Sequence, residues 1–269
     1  MWNGRAVGRS HSPARVSHQA SRLPPVLRDV VKRALGAAGR TTAGKNLVNA
    51  AVQADPGLKR YPTVERWPDS LDGFEDLAFL FSSNQLSHGI ASLQLDEAAL
   101  LYRLARRVAP GAAVVEIGRF KGGTTLMLAS ALPDGAELWS YDLHVALRAD
   151  MSGPQLDAEL ETALARYGLT ERVHLVVGDS RTAEPPPRPA ALIFVDGDHT
   201  YEGARADYVR WRELLAPGGD LLFHDAVDAG GYGNHYPGIA RLVAEIERDD
   251  ADFERQPNAG SIAHFTRRA

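Results

Sequence analysis

Apolar and polar positions along this chain follow two different periods. Short runs dominated by apolar residues recur at 113–117, 137–141, 173–177, 191–195 and 221–223. Each has the length of a strand rather than a helix, and a near-continuous apolar run is what a strand covered on both faces requires. Between them apolar residues return at helical spacing, over 96–108, from Thr124 onward, and over 155–167, 201–215 and 239–247. Strand and helix in alternation predict an α/β fold, a parallel sheet with helices on both faces. Phe253 and the run 262–265 are expected to add final antiparallel strands. Turn residues punctuate the pattern: Pro110-Gly111 before the first strand, Gly168 and Pro217-Gly218-Gly219 after helices, and prolines over 185–189 in a surface connection.

The first ninety residues depart from this pattern. Residues 1–66 are rich in arginine and lysine, with only Asp29, Asp55 and Glu65 acidic, and the first 22 lack any apolar period. They read as a basic, partly disordered arm. Within it Val26, Leu27, Val30, Val31, Ala34 and Leu35 recur at helical spacing with Arg28, Lys32 and Arg33 between them. This predicts a short basic amphipathic helix that packs on the main domain or on a second subunit, with a membrane surface as the alternative. Gly39 to Asn46 approaches a phosphate-binding loop and fails, because Asn46 replaces the hydroxyl that would hold magnesium. Residues 67–92 carry Trp67, Phe74, Phe79, Phe81 and His88 and are expected to cover a site. Residues 93–269 then form the main domain.

The chemistry starts at the first strand. Glu116 ends it, and Gly118, Gly122 and Gly123 allow the chain to turn sharply and approach a ligand. Thr124 is expected to cap the helix that follows. The spacing is G-x-x-x-G-G, and Phe120 stands where a dinucleotide fingerprint needs its second glycine. That disfavours a pyrophosphate, and an acidic residue before the turn repels phosphates further.

Every later strand also delivers a polar residue at its carboxyl end: Asp142, Asp179-Ser180, Asp196 and His224-Asp225. Acids lined along one crevice repel one another, so a cationic ligand or a metal is expected there. Asp142 follows Gly118 at about the two-dozen-residue distance of a carboxylate that binds ribose hydroxyls. A nucleoside without phosphates and with positive charge nearby describes S-adenosylmethionine. Composition narrows the alternatives. The formal net charge is −4, which argues against a chain basic throughout and against a nucleic-acid partner. With no cysteine, disulfides, thiolate zinc sites and cysteine nucleophiles are excluded. No apolar run spans a membrane and no secretory signal opens the chain, so the expected location is cytoplasmic.

The ordered set Glu116-Ile117-Gly118, Gly122-Gly123, Asp142, Gly178-Asp179-Ser180 and Leu215-x-Pro217-Gly218-Gly219 resembles the class I S-adenosylmethionine-dependent methyltransferases. Residues 194–202, Phe-Val-Asp-Gly-Asp-His-Thr-Tyr-Glu, look like a subgroup linked to sugar and natural-product O-methylation. The resemblance implies a doubly wound, Rossmann-like sheet of seven strands, mostly parallel with one antiparallel strand. It implies that Glu116, Gly118, Gly122, Gly123 and Thr124 hold the methionine part, Asp142 the ribose, and Asp179 and Ser180 the adenine. It also implies a small-molecule acceptor. His199, beside Asp196, is the first candidate for the base, with His224 and then His144 as alternatives. In similar magnesium-dependent O-methyltransferases, carboxylates after the fourth and fifth strands bind the ion, and Asp196 and Asp225 match them. His224 departs from that pattern, since magnesium favours oxygen ligands. A nicotinamide-dependent oxidoreductase is the competing enzyme, disfavoured by Phe120. A non-catalytic nucleoside-binding scaffold is disfavoured by the intact Glu116, Asp142 and Asp179.

Overall fold

The computed structural model describes residues 69–74, 76–77, 91–144, 153–228 and 236–269. The basic arm with its expected amphipathic helix, most of the 67–92 segment, and residues 229–235 lie outside the described residues.

The elements run in the order α1 (Leu95–Arg107), β1 (Ala113–Ile117), α2 (Gly123–Ala131), β2 (Glu137–Asp142), α3 (Gly153–Arg166), β3 (Val173–Val177), β4 (Ala190–Val195), α4 (Tyr201–Trp211), β5 (Leu215–Phe223), α5 (Pro237–Asp249), β6 (Phe253–Ala259) and β7 (Ile262–Arg267). They build one seven-stranded sheet in the order β3-β2-β1-β4-β5-β7-β6. β1 pairs in parallel with both β2 and β4, while β7 runs antiparallel to both its neighbours. This is the doubly wound, mostly parallel sheet that the alternation predicts. No helix among the described residues is long and apolar enough to cross a membrane.

The two-residue strand period divides the core between the sheet's faces. Val114, Leu138, Leu192, Phe194 and Leu222 join the buried apolar residues of α1, α2 and α3 on one face. Val115, Ile117, Ile193, Val195 and Phe223 join those of α4 and α5 on the other. Each such buried side chain contributes roughly 1.5–3 kcal/mol of transfer free energy. The chain winds outward from β1 to β2 and β3, then crosses back to β4 and β5. The reversal between β1 and β4 opens a crevice at the strands' carboxyl ends, where α/β sheets place ligands.

Three local readings need correction. Thr124 does not cap α2: the helix starts at Gly123, and its cap is Gly122, left-handed at φ 77° with no side-chain cap bond. Glycine enters the helix directly there, so Thr124 already lies inside the first turn. β5 starts at Leu215 rather than 221, because Pro217-Gly218-Gly219 forms an irregularity within the strand, where the β4 register shifts. β3 is not covered on both faces. It sits at the sheet edge, half-buried along its length, with Val177 exposed.

Candidate active site

The turn after β1 is shaped by what it must pass. Gly118 has φ 93°, and a Cβ built on it would stand 2.1 Å from the Asp196 carbonyl oxygen. Any side chain there would therefore push β1 away from the end of β4. Phe120, also left-handed at φ 50°, lines the crevice beside it. Asp142 pins this turn from the end of β2. Its Oδ2 accepts the backbone N–H groups of Arg119 and Phe120 at 2.9 and 3.0 Å, and its Oδ1 accepts that of His144 at 2.6 Å.

Arg119 was not singled out by its sequence context, yet its side chain is fully buried and anchors the turn from below. It donates from Nε and Nη2 to the two Asp157 oxygens, both at 2.8 Å, and from Nη1 to the Ser140 carbonyl at 2.7 Å. His144 Nε2 lies 2.7 Å from the same Asp157. This engagement, away from the acceptor cluster described below, does not suit His144 as the base.

A cavity of about 700 Å³ fills the crevice. Of the predicted site residues, Gly118, Asp142, Asp179, Ser180, Asp196, His199, His224 and Asp225 line it, whereas Glu116, Gly122, Gly123 and Thr124 do not. The strand period turns Glu116 to the α2 face, where it is fully buried under the turn. Its Oε2 accepts from the Thr125 and Ser140 hydroxyls at 2.6 and 2.5 Å, and Oε1 has no partner among the described residues. Burial, offset only partly by the two hydroxyls, pushes this carboxyl up to about 7. Glu116 therefore supports the turn from beneath rather than touching a ligand.

At the β3 side of the crevice, Asp179 makes a two-pronged pair with the Arg181 guanidinium, which holds it below the usual carboxylate range. Ser180 donates its hydroxyl to Asp207 of α4 at 2.6 Å.

At the β4 and β5 side a charged cluster forms. Asp196 Oδ1 lies 2.9 Å from His224 Nδ1 and 3.4 Å from His199 Nε2. Burial opposes its ionisation, but the His224 and His199 imidazoles outweigh that and hold it at about 2. His224 is buried, with Nε2 3.2 Å from Glu97 Oε2. Burial alone would lower its pKa; Asp196 and Glu97, with Asp225 nearby, raise it well above the usual histidine range. Both ring nitrogens are engaged and the ring is held as imidazolium, so His224 does not suit the role of base. Glu97 also accepts the backbone N–H and hydroxyl of Ser261 at 2.6 and 2.7 Å. Glu97 is also the third helical residue of α1, where it forms a capping box with Gln94.

Asp225 closes the cluster in a left-handed conformation at φ 55°. Burial, together with Asp196 and Glu97, raises its pKa against the pull of the two histidines. Its Oδ2 stands 3.5 Å from His199 Nε2, and the His199 ring stacks on Tyr236 with centroids 4.4 Å apart. Asp196, His199 and Asp225 each offer one ligand atom within 4.8 Å of the others. Two carboxylates and an imidazole at this spacing fit a divalent cation. The imidazole suits iron or zinc better than magnesium, while the two carboxylates also suit manganese.

Residues 115–226 match the family model described as a methyltransferase domain, Methyltransf_24. The catechol O-methyltransferase of Niastella koreensis is 26% identical over 175 residues, 62% of this chain and 73% of the relative. The O-methyltransferase TomG of Streptomyces achromogenes, involved in tomaymycin synthesis and solved with S-adenosylmethionine, shares the fold at 20% identity and TM-score 0.52, over 77% of this chain and all of its own. A methyltransferase of Geobacter sulfurreducens superposes with TM-score 0.50 at 22% identity, over 65% of this chain and 80% of its own. The matched segment runs from β1 to just past the end of β5, across the turn, the crevice and the charged cluster, and marks the chain as an S-adenosylmethionine-dependent methyltransferase.

Proposed function

We propose that the chain methylates a hydroxyl oxygen of a small sugar-bearing or natural-product acceptor in the cytoplasm, with a divalent metal at Asp196 and Asp225. The observation that carries this reading is the placement of Asp196, His199 and Asp225 in the wall of the same crevice as Gly118 and Asp142. S-Adenosylmethionine would be held by the turn and Asp142, with its ribose hydroxyls at Asp142 and its transferable methyl group presented toward the charged cluster. Oδ1 of Asp142 spends only one acceptor site on His144, which leaves capacity for a ribose hydroxyl.

The residues align the acceptor oxygen in line with the methyl carbon and the sulfur. As the O–C bond forms, the C–S bond breaks and its electron pair goes to sulfur, giving S-adenosylhomocysteine. The acceptor proton passes to His199 Nε2 and from there to solvent. His199 is part-exposed, and its Nε2 lies 3.4 Å from Asp196 Oδ1 and 3.5 Å from Asp225 Oδ2. A divalent ion held by Asp196 and Asp225 would lower the pKa of the acceptor hydroxyl. The His224 imidazolium keeps Asp196 ionised and oriented, and Glu97 keeps His224 in place. The Niastella relative is named for a catechol, a vicinal diol. Sugars offer the same pair of neighbouring oxygens, so both belong in the acceptor panel.

A second reading of His199 has its own support, since its Nε2 completes the three-atom grouping and could be a third ligand. Calorimetric titration with Mn2+ separates the two: a base leaves metal affinity within about threefold in His199→Ala, a ligand loses about tenfold or more. Methyl transfer from labelled cofactor to a panel of catechols and sugar-bearing phenols tests the whole reading. Transfer to oxygen, reduced by EDTA and by Asp225→Asn, is the expected result. Activity untouched by both would remove the ion from the mechanism.

A further inference from the structure

The chain enters α1 through Ser92-Leu93-Gln94, extended at Gln94 with φ −74° and ψ 160°. Side chains alternate along such a segment. Leu93 joins the buried core on the α1 face of the sheet, while Ser92 and Gln94 line the crevice.

Gln94 is held through both its backbone and its side chain. Its N–H donates to Glu97 Oε2 at 2.6 Å, and its side chain accepts the Glu97 backbone N–H in the capping box. Only the amide oxygen can meet an N–H, so the cap fixes which end of the amide is which and leaves the NH2 for another partner. That nitrogen, Nε2, is buried and has no hydrogen-bond partner among the described residues. Buried polar atoms in folded proteins are paired as a rule. A buried donor left unmet on a residue that walls a cavity is one that a ligand can meet.

The sheet order says which ligand. Asp142 ends β2 and Asp196 follows β4, and beyond β4 come β5 and then β7, which Ser261 immediately precedes. Glu97 joins Gln94 to this far side. Its Oε1 accepts the Ser261 N–H and hydroxyl, and its Oε2, which holds the Gln94 N–H, lies 3.2 Å from His224 Nε2. Gln94 therefore belongs to the end of the crevice away from the ribose carboxylate, where the acceptor rather than the cofactor is placed. We propose that Gln94 is a specificity residue for the acceptor, whose Nε2 donates a hydrogen bond to a second oxygen carried beside the hydroxyl that is methylated. Ser92, on the same side of the segment, offers a further donor there. This deepens the O-methylation reading of the crevice and rests on it. An acceptor with a methyl group in place of the second oxygen leaves the buried NH2 unmet and is disfavoured.

The test compares kcat/KM for catechol and for 2-methylphenol, in which a methyl group replaces the second hydroxyl, using labelled cofactor and the full chain. The wild type is expected to prefer catechol, and Gln94→Ser to cut that preference about tenfold or more, mainly through loss on catechol. Serine is itself a good N-cap, so α1 keeps its cap and the thermal midpoint is expected to hold. Gln94→Glu keeps the length and the capping oxygen but turns the donor into an acceptor, and is expected to cut the preference at least as far. A preference supplied by a bound cation is common to all three proteins and cancels in the comparison. A role confined to capping would lower stability and slow both acceptors alike. That result, or a preference unchanged in both variants, overturns the assignment, as does a loss of S-adenosylhomocysteine affinity by calorimetry in its place. Wild-type protein that methylates no acceptor oxygen overturns the O-methylation reading itself, and a wild type that methylates 2-methylphenol as fast as catechol overturns only the role of Gln94.

Discussion

Glu116 and Asp196 end neighbouring strands, yet their surroundings drive them in opposite directions. Glu116 has two hydroxyl donors and no cation in contact, so burial wins and its pKa rises to about 7. Asp196 has two imidazoles against it, and they win over burial. The difference is testable through stability. A carboxyl whose folded pKa lies above its unfolded value binds more protons when folded, so its contribution is present below about pH 4.5 and is lost as pH rises through about 7. Glu116→Gln is therefore expected to flatten the fall in thermal stability between about pH 5 and 8, a difference of order 3 kcal/mol at the alkaline end. Unfolding curves at several pH values read this directly, and a slope unchanged by the substitution would contradict it. Glu97→Gln is expected to act at the cluster instead. Loss of the His224 partner loosens Asp196 and lowers kcat by about tenfold or more with little change in cofactor affinity, as steady-state kinetics would show. Acids after strands were readable because each strand end is marked by the loss of apolar residues. Glu97 and Asp207 were not, since an acid on a helix reads as a cap or a solvated face until the fold shows what lies opposite.

Among the elements, the turn and α3 act as one unit. Arg119 ties the turn to Asp157 of α3 and to the β2 backbone, and Gly122 abuts Leu160 of α3. Leu156 of the same helix faces the cavity. Breaking the fork–fork pair should thus disturb the cofactor end and spare the acceptor end. Arg119→Lys, which keeps the charge and loses the planar fork, is expected to raise the KM for S-adenosylmethionine about tenfold while the acceptor KM stays within about twofold. Equal effects on both KM values would mean that the pair only holds the fold together. Gly118→Ala is expected to be more severe, because β4 cannot retreat from a Cβ at 2.1 Å without leaving the sheet. Most strands and helices were legible in the apolar period to within a few residues. β5 was not, because Pro217-Gly218-Gly219 carries the residues of a turn and is absorbed as an irregularity inside a strand. Thr124 misled for a related reason: hydroxyl residues favour caps, but the left-handed Gly122, two positions earlier, had already begun the helix.

At the scale of the whole molecule, one topological reversal gathers the chemistry. Strand ends separated by more than a hundred residues converge because the chain returns past β1 to lay down β4 and β5. That convergence was foreseeable from alternating strands and helices alone. The pairing of its members was not, since no spacing rule says that His224 would be locked between Asp196 and Glu97 while His199 stays open to the crevice. The account stands on that division of labour between the two histidines. It is measured most directly by following 13C-methyl transfer from labelled S-adenosylmethionine by NMR, in the wild type and in His199→Ala, with a catechol or sugar-bearing phenol as acceptor. The predicted result is a label on acceptor oxygen in the wild type and a rate about 100-fold or more lower in His199→Ala, with cofactor affinity unchanged. A label on nitrogen or carbon, or a variant that transfers as fast as the wild type, would contradict it.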